Sequence, residues 1–98
     1  MKKIVLLCSA GMSTSLLMTK MVEYAKSVGY ECTVNAYSVS EAAKEGADAD
    51  IVLLGPQVRF QLANIQAQVS CPVETIDTVA YGMMDGKKVM ERVIEVIG

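Results

Sequence analysis

The strongest constraint on what this chain can fold into is an alternation. Short apolar runs of strand character trade places with segments of helical period along all 98 residues. Lys3 to Leu7 carries the continuous apolar run Ile4-Val5-Leu6-Leu7, the mark of a strand buried on both faces. From Met12 or Ser13 to Val28 the period is helical, with Leu17, Met21, Tyr24, Ala25 and Val28 on one face and Gly29 as the stop. Glu31 to Tyr37 alternates, with Cys32, Val34 and Ala36 on one side, which predicts a second strand at a sheet edge. Ser38 and Glu41 have capping-box spacing and open a short helix to about Glu45, ended by Gly46. Ile51 to Leu54 reads as a third buried strand, followed by a Gly55-Pro56 turn. Val58, Leu62, Ile65 and Val69 make Gln57 to Gln68 an amphipathic helix. Pro72 precedes a fourth strand, Val73 to Ile76, and Asp77 to Met84 is a loop or a short turn of helix. Asp85 then caps a last helix from about Gly86 to Ile97, with Val89, Met90, Val93, Ile94 and Ile97 inward.

This order, strand and helix four times over, predicts an α/β fold in one domain over residues 1–98, without repeats or linkers. Strands separated by single helices pair in parallel through right-handed crossovers. Ligands of such sheets bind at the carboxyl ends of the strands, near the point where strand order reverses. Cys8–Ser15, Gly55–Gln57 and Asp77–Asp85 must share that edge, with the Tyr37–Ser40 turn expected further out.

The chemistry open to the chain is narrow. It holds no histidine, which removes the commonest general base and metal ligand, and phosphohistidine chemistry with them. A net charge of −2 with no basic cluster argues against nucleic acid as a partner. Cys8, Cys32 and Cys71 match no zinc or redox spacing, so neither a metal nor a cofactor is implied. Their odd number favours reduced thiols in the cytoplasm. The four-residue apolar run before Cys8 is shorter than a signal core of roughly 7–15 residues, and no segment approaches the ~20 apolar residues of a membrane span.

Cys8 is the residue to watch. It ends the first strand and precedes Ser9, Ala10, Gly11, Met12, Ser13, Thr14 and Ser15. Small residues let successive amide N–H groups turn inward, and the next helix aims its positive end at the same point. That is a cradle for a dianionic phosphate, and it favours a reactive thiolate. The chemistry suggested is attack on phosphorus to form a thiophosphate ester, with Cys8 as catalytic residue and the seven following residues as phosphate ligands. The competing reading makes Cys8 a small buried apolar side chain and the hydroxyls helix caps. Gln57 and Tyr81 come from neighbouring loops and are candidates for contact with the phosphate or a partner. Asp85 reads as a cap, and Cys32 and Cys71 as bystanders.

Low-molecular-weight tyrosine phosphatases carry a similar loop, with the form Cys-x5-Arg-Ser/Thr. Here the arginine position is Thr14, and the only arginines are Arg59 and Arg92. Without that bidentate guanidinium the loop is better suited to holding and passing on a phosphoryl group than to hydrolysing its ester. A phosphatase-like hydrolase and a non-catalytic anion-binding module remain the alternatives.

The stretch Ile4 to Leu17, containing Cys8-Ser9-Ala10-Gly11-Met12-Ser13-Thr14-Ser15, closely resembles the active-site segment of the enzyme IIB components of lactose/cellobiose (chitobiose) phosphotransferase systems. Asp50 to Val58 and Ile76 to Gly86 resemble the same family. The resemblance implies a four-stranded parallel sheet with helices on both faces and a cysteine phosphate loop after the first strand. It implies a phosphotransferase, in which Cys8 takes a phosphoryl group from a phosphohistidine of the IIA protein. Cys8 then passes it to a β-linked disaccharide of the cellobiose, lactose or chitobiose type, bound by the membrane permease IIC. Two partners reaching Cys8 in turn call for an exposed, fairly flat rim around it.

Overall fold

The computed structural model describes residues 1–8 and 14–98. Its strands are β1 (Lys2–Cys8), β2 (Cys32–Ser38), β3 (Ile51–Leu54) and β4 (Val73–Thr75). All pair in parallel, in the order β2-β1-β3-β4. Helix α1 (Ser15–Ser27) joins β1 to β2. A 3-10 turn at Val39–Glu41 leads into α2 (Ala42–Glu45), and a 3-10 segment at Pro56–Gln61 leads into α3 (Leu62–Gln68). Helices α4 (Thr78–Gly82) and α5 (Gly86–Ile97) follow β4.

Strand alternation divides the core in two. Ile4, Leu6, Ile51 and Leu53 point to one face, under Leu17, Met21 and Ala25 of α1 and Val89, Met90 and Val93 of α5. Val5, Leu7, Val52 and Leu54 point to the other, under Ala42, Val58 and Ile65. Helices therefore cover both faces, as the sequence predicts for central strands with no polar side. Both edge strands are only half-buried, and β2 alternates as its sequence requires.

Helix α1 ends in a Schellman turn. Gly29 takes φ +71°, its N–H donates to the Lys26 carbonyl, and the Tyr30 N–H donates to the Ala25 carbonyl. Val28, expected inward, is exposed because it lies at the cap, where the chain is already turning away. The predicted helix from Gln57 begins instead as 3-10, with Val58 outside helical geometry at φ −118°, and becomes α-helical only at Leu62. Pro56 has no N–H to donate, and the Val58 N–H donates to the Gly55 carbonyl, so the first turn closes tightly. Asp77–Met84 is helical over Thr78–Gly82, started by the Asp77 carboxylate, which accepts from the Ala80 N–H at 3.0 Å.

Candidate functional site

Strand order reverses between β1 and β3. The chain leaves β1 for β2 on one side and crosses back to β3 on the other. The crevice at the carboxyl ends of β1 and β3 is therefore where a sheet of this kind binds its ligand. Cys8 is the last residue of β1, and Gly55 directly follows β3. The Gly55 N–H donates to the Leu7 carbonyl at 2.9 Å, extending the pairing by one residue beyond the register of the two strands. A β-carbon on Gly55 would lie 3.6 Å from Cys8 Cβ and 3.2 Å from Gln57 Oε1. The absent side chain at 55 leaves a space bordered by the cysteine on one side and the glutamine carboxamide on the other.

Alternation along β1 gives Cys8 the same face as Ile4 and Leu6. Helix α1 packs on that face, so its first turn and the Cys8 side chain share one side of the sheet. The first turn of α1 carries no acidic residue, while Lys26 sits in its last turn. Its positive end is thus not offset by a local carboxylate. Cys8 itself is only 3% exposed. The expectation of an open rim therefore does not extend to the sulfur, because β1 is central and covered on both sides.

Ser9, Ala10, Gly11, Met12 and Ser13 lie outside the described residues. Thr14 stands at the N-cap of α1, buried, and its hydroxyl makes no capping bond to the helix. Ser15 is exposed in the first turn, and its carbonyl accepts from the Thr19 hydroxyl at 3.1 Å. Tyr81 is not on a loop: it belongs to α4 and is buried in the cluster beneath α1 and α5. The sequence places the Tyr37–Ser40 turn on this edge but further out than it lies. In the register Cys8 lies opposite Ser38, so the Tyr37–Ser40 turn is one strand away from Cys8 and β4 is two strands away. The expected order of distances is reversed, because pairing order is not written in any local segment.

The carboxylates near this edge are engaged at helix starts. Asp77 accepts from the Ala80 N–H, Asp85 accepts from the Lys88 N–H at 3.1 Å, and Glu41 accepts from the Ser38 N–H at 3.3 Å. Among the described residues no group of cysteine and acidic side chains could hold a metal ion, and no helix is long and apolar enough to cross a membrane.

The other two cysteines lie at the opposite end of the sheet. Cys32 opens β2 opposite Lys2, and Cys71 precedes β4. Burial pushes both thiols above the ordinary cysteine value of 9.0. A thiol that ionises later folded than unfolded contributes stability that is full below the unfolded value and is lost as pH rises through the folded one. Stability is thus expected to fall above about pH 9, and to fall less steeply in the Cys32→Ser/Cys71→Ser double variant. Tyr30, also pushed up by burial, leaves a residual slope in that variant. Urea midpoints at about pH 8 and about pH 10 measure the difference.

The geometry accords with a defined group of proteins. The family described as "PTS system, Lactose/Cellobiose specific IIB subunit" matches residues 3–92. The oligo-beta-mannoside-specific EIIB component of Bacillus subtilis (strain 168) is 48% identical over 100 residues, covering 99% of this chain and 97% of that protein. The cellobiose-specific phosphotransferase IIB component protein of Borrelia burgdorferi superposes with a TM-score of 0.78 at 33% identity, covering 98% of this chain and 91% of that one. The lactose-specific IIB component domain from Streptococcus pneumoniae has the same fold, with a TM-score of 0.84 at 17% identity over 99% of this chain and 98% of that one. The chain belongs to the IIB subunit family of the lactose/cellobiose-specific phosphotransferase systems, whose members transfer phosphoryl groups during sugar uptake.

Proposed function

We propose that residues 1–98 act as one phosphocarrier domain in the cytoplasm, with Cys8 as the carrier atom. The donor is a IIA protein phosphorylated on histidine, and the acceptor is a sugar bound by the membrane permease IIC. In the first step the Cys8 sulfur attacks phosphorus, an S–P bond forms and the donor's N–P bond breaks. The freed imidazole keeps the electron pair of that bond and takes up the thiol proton. In the second step a sugar hydroxyl attacks the same phosphorus, the S–P bond breaks and sulfur departs. The departing sulfur keeps the S–P electron pair and takes up the proton lost by the hydroxyl, which leaves a sugar phosphate and a free thiol.

The observation that carries this reading is the position of Cys8. It ends the central strand at the switch point, on the face that α1 covers, while Cys32 and Cys71 lie at the far end of the sheet. Thr14 in place of an arginine, and carboxylates already engaged at helix starts, leave little to drive hydrolysis. A β-linked disaccharide is the acceptor class that fits best, since the Bacillus relative is specific for oligo-beta-mannosides. Seven residues from Ser9 to Ser15 are the phosphate ligands in this scheme, through main-chain N–H groups and hydroxyls, with Gln57 the candidate from a neighbouring segment, while Tyr81 packs in the core under α4.

The carrier and the hydrolase differ in the lifetime of the adduct. Incubation with a phosphorylated IIA protein should give a phosphoryl adduct that persists after the donor is removed, with no turnover of an aryl phosphate. Rapid aryl phosphate hydrolysis without a lasting adduct would favour the phosphatase, and neither signal would leave only an anion-binding module.

A further inference from the structure

We propose that Ser38, at the end of β2 and outside the loop that follows β1, donates its hydroxyl hydrogen to the phosphoryl group carried on Cys8. The inference rests on Cys8 being the phosphoryl acceptor. The register sets Ser38 directly opposite Cys8, and each is the last residue of its strand. Ser38 alternates in step with Cys32, Val34 and Ala36, which pack against the same cluster as Ile4 and Leu6. Alternation gives Cys8 that face too. Neighbouring strands lie about 4.8 Å apart, so a group attached to the sulfur is within reach of the serine hydroxyl.

The other strand beside β1 offers nothing comparable. Gly55 follows β3 next to Cys8 and has no side chain, so within the sheet Ser38 is the polar side chain that flanks the cysteine. Its backbone is held in place by the capping box. Glu41 Oε2, the nearest carboxylate in that turn, is engaged by the Ser38 N–H at 3.3 Å.

The proton arrangement makes Ser38 a donor. A serine hydroxyl has one hydrogen and two acceptor positions. The Ser38 Oγ accepts from the Ser40 N–H at 3.4 Å and lies 3.1 Å from the Ser40 Oγ. When Ser40 donates across that hydroxyl pair, both acceptor positions of Ser38 are filled and its own hydrogen is left for another acceptor. A phosphoryl oxygen is anionic, and hydrogen bonds to charged acceptors are about twice as strong as neutral ones. Phosphorylation of Cys8 therefore selects this arrangement, and the bond holds the dianionic form of the adduct.

The test measures how a phosphoryl group distributes at equilibrium between a IIA protein and Cys8, by intact mass, and titrates the adduct by 31P NMR. Ser38→Ala should shift the distribution about 5- to 50-fold toward the donor. The midpoint of its 31P titration should rise by about one pH unit, since the dianion loses a donor. Ser38→Thr keeps the hydroxyl and should match the wild type in both. Ser38→Asp separates binding from capping. Aspartate caps a helix start as well as serine, so its melting point should exceed that of the alanine variant. Its carboxylate repels the dianion, so its adduct should be the least favoured of the series. Wild-type distribution and titration in Ser38→Ala would overturn the proposal while leaving Cys8 as acceptor. A deficit in alanine that aspartate repairs would also overturn it, since only the cap would then matter. No adduct on the wild type would instead remove the Cys8 reading itself.

Discussion

Gly86→Ala should destabilise the chain by about 2–3 kcal/mol, a fall in Tm of roughly 10–20 °C for a domain of this size. A β-carbon at this position would lie 2.4 Å from the Met21 backbone nitrogen and 2.5 Å from the Lys20 carbonyl carbon. Those are main-chain atoms of α1, so relief requires α1 and α5 to separate. Alanine's better helix propensity opposes this with at most about 1 kcal/mol, and the overlap wins. Gly82→Ala is the control: nothing lies within 4 Å of its added carbon, and its backbone is helical. There the change should be neutral or stabilising by up to about 1 kcal/mol. Urea denaturation of the two variants measures both signs. If Gly86→Ala were as stable as the wild type, the close crossing that fixes α1 beside Cys8 would be wrong.

Cys8→Ser should reduce transfer from donor to sugar at least ~1,000-fold while the protein remains folded. A serine hydroxyl is a far weaker nucleophile than a thiol at neutral pH, and the described residues offer no histidine to activate it. Burying a hydroxyl in place of the sulfur costs about 1–3 kcal/mol when it finds no partner, less than most domains hold in reserve. Cys8→Ala avoids that cost and should lose transfer equally. A coupled assay of sugar phosphate formation, run beside thermal melts, separates lost chemistry from lost fold. Transfer surviving in both variants would remove Cys8 from the reaction.

The parts legible in the sequence were those decided locally. Ile51–Leu54 had to be a buried strand because four apolar residues stood between turn signals, and Asp85 had to start a helix because its carboxylate reaches the N–H of Lys88. The capping box at Ser38 and Glu41 formed for the same reason. Pairing order was not legible, since nothing in β2 or β4 says which lies beside β1. The proximity of Ser38 to Cys8 was lost with it.

Helix α4, one of two alternatives the sequence leaves open for Asp77–Met84, is blurred by its ending. It closes with the Asp85 N–H on the Ala80 carbonyl and the Met84 N–H on the Tyr81 carbonyl, which puts Met84 at φ +54°. Most chains place a glycine there, and the methionine conceals the stop. Asp85 thereby closes one helix and opens the next, which packs α4 onto α5 and buries Tyr81. Gly55 reads as a turn residue, and its missing side chain also leaves a space bordered by Cys8 and Gln57.

Peptide mapping of the chain after brief exposure to a phosphorylated IIA protein, under conditions that preserve S–P bonds, asks most directly which atom carries the phosphoryl group. The phosphorylated peptide should be the one containing Cys8, with the peptides of Cys32 and Cys71 unmodified. A phosphoryl group on either of those thiols, or on a serine or threonine hydroxyl with Cys8 bare, would contradict the account.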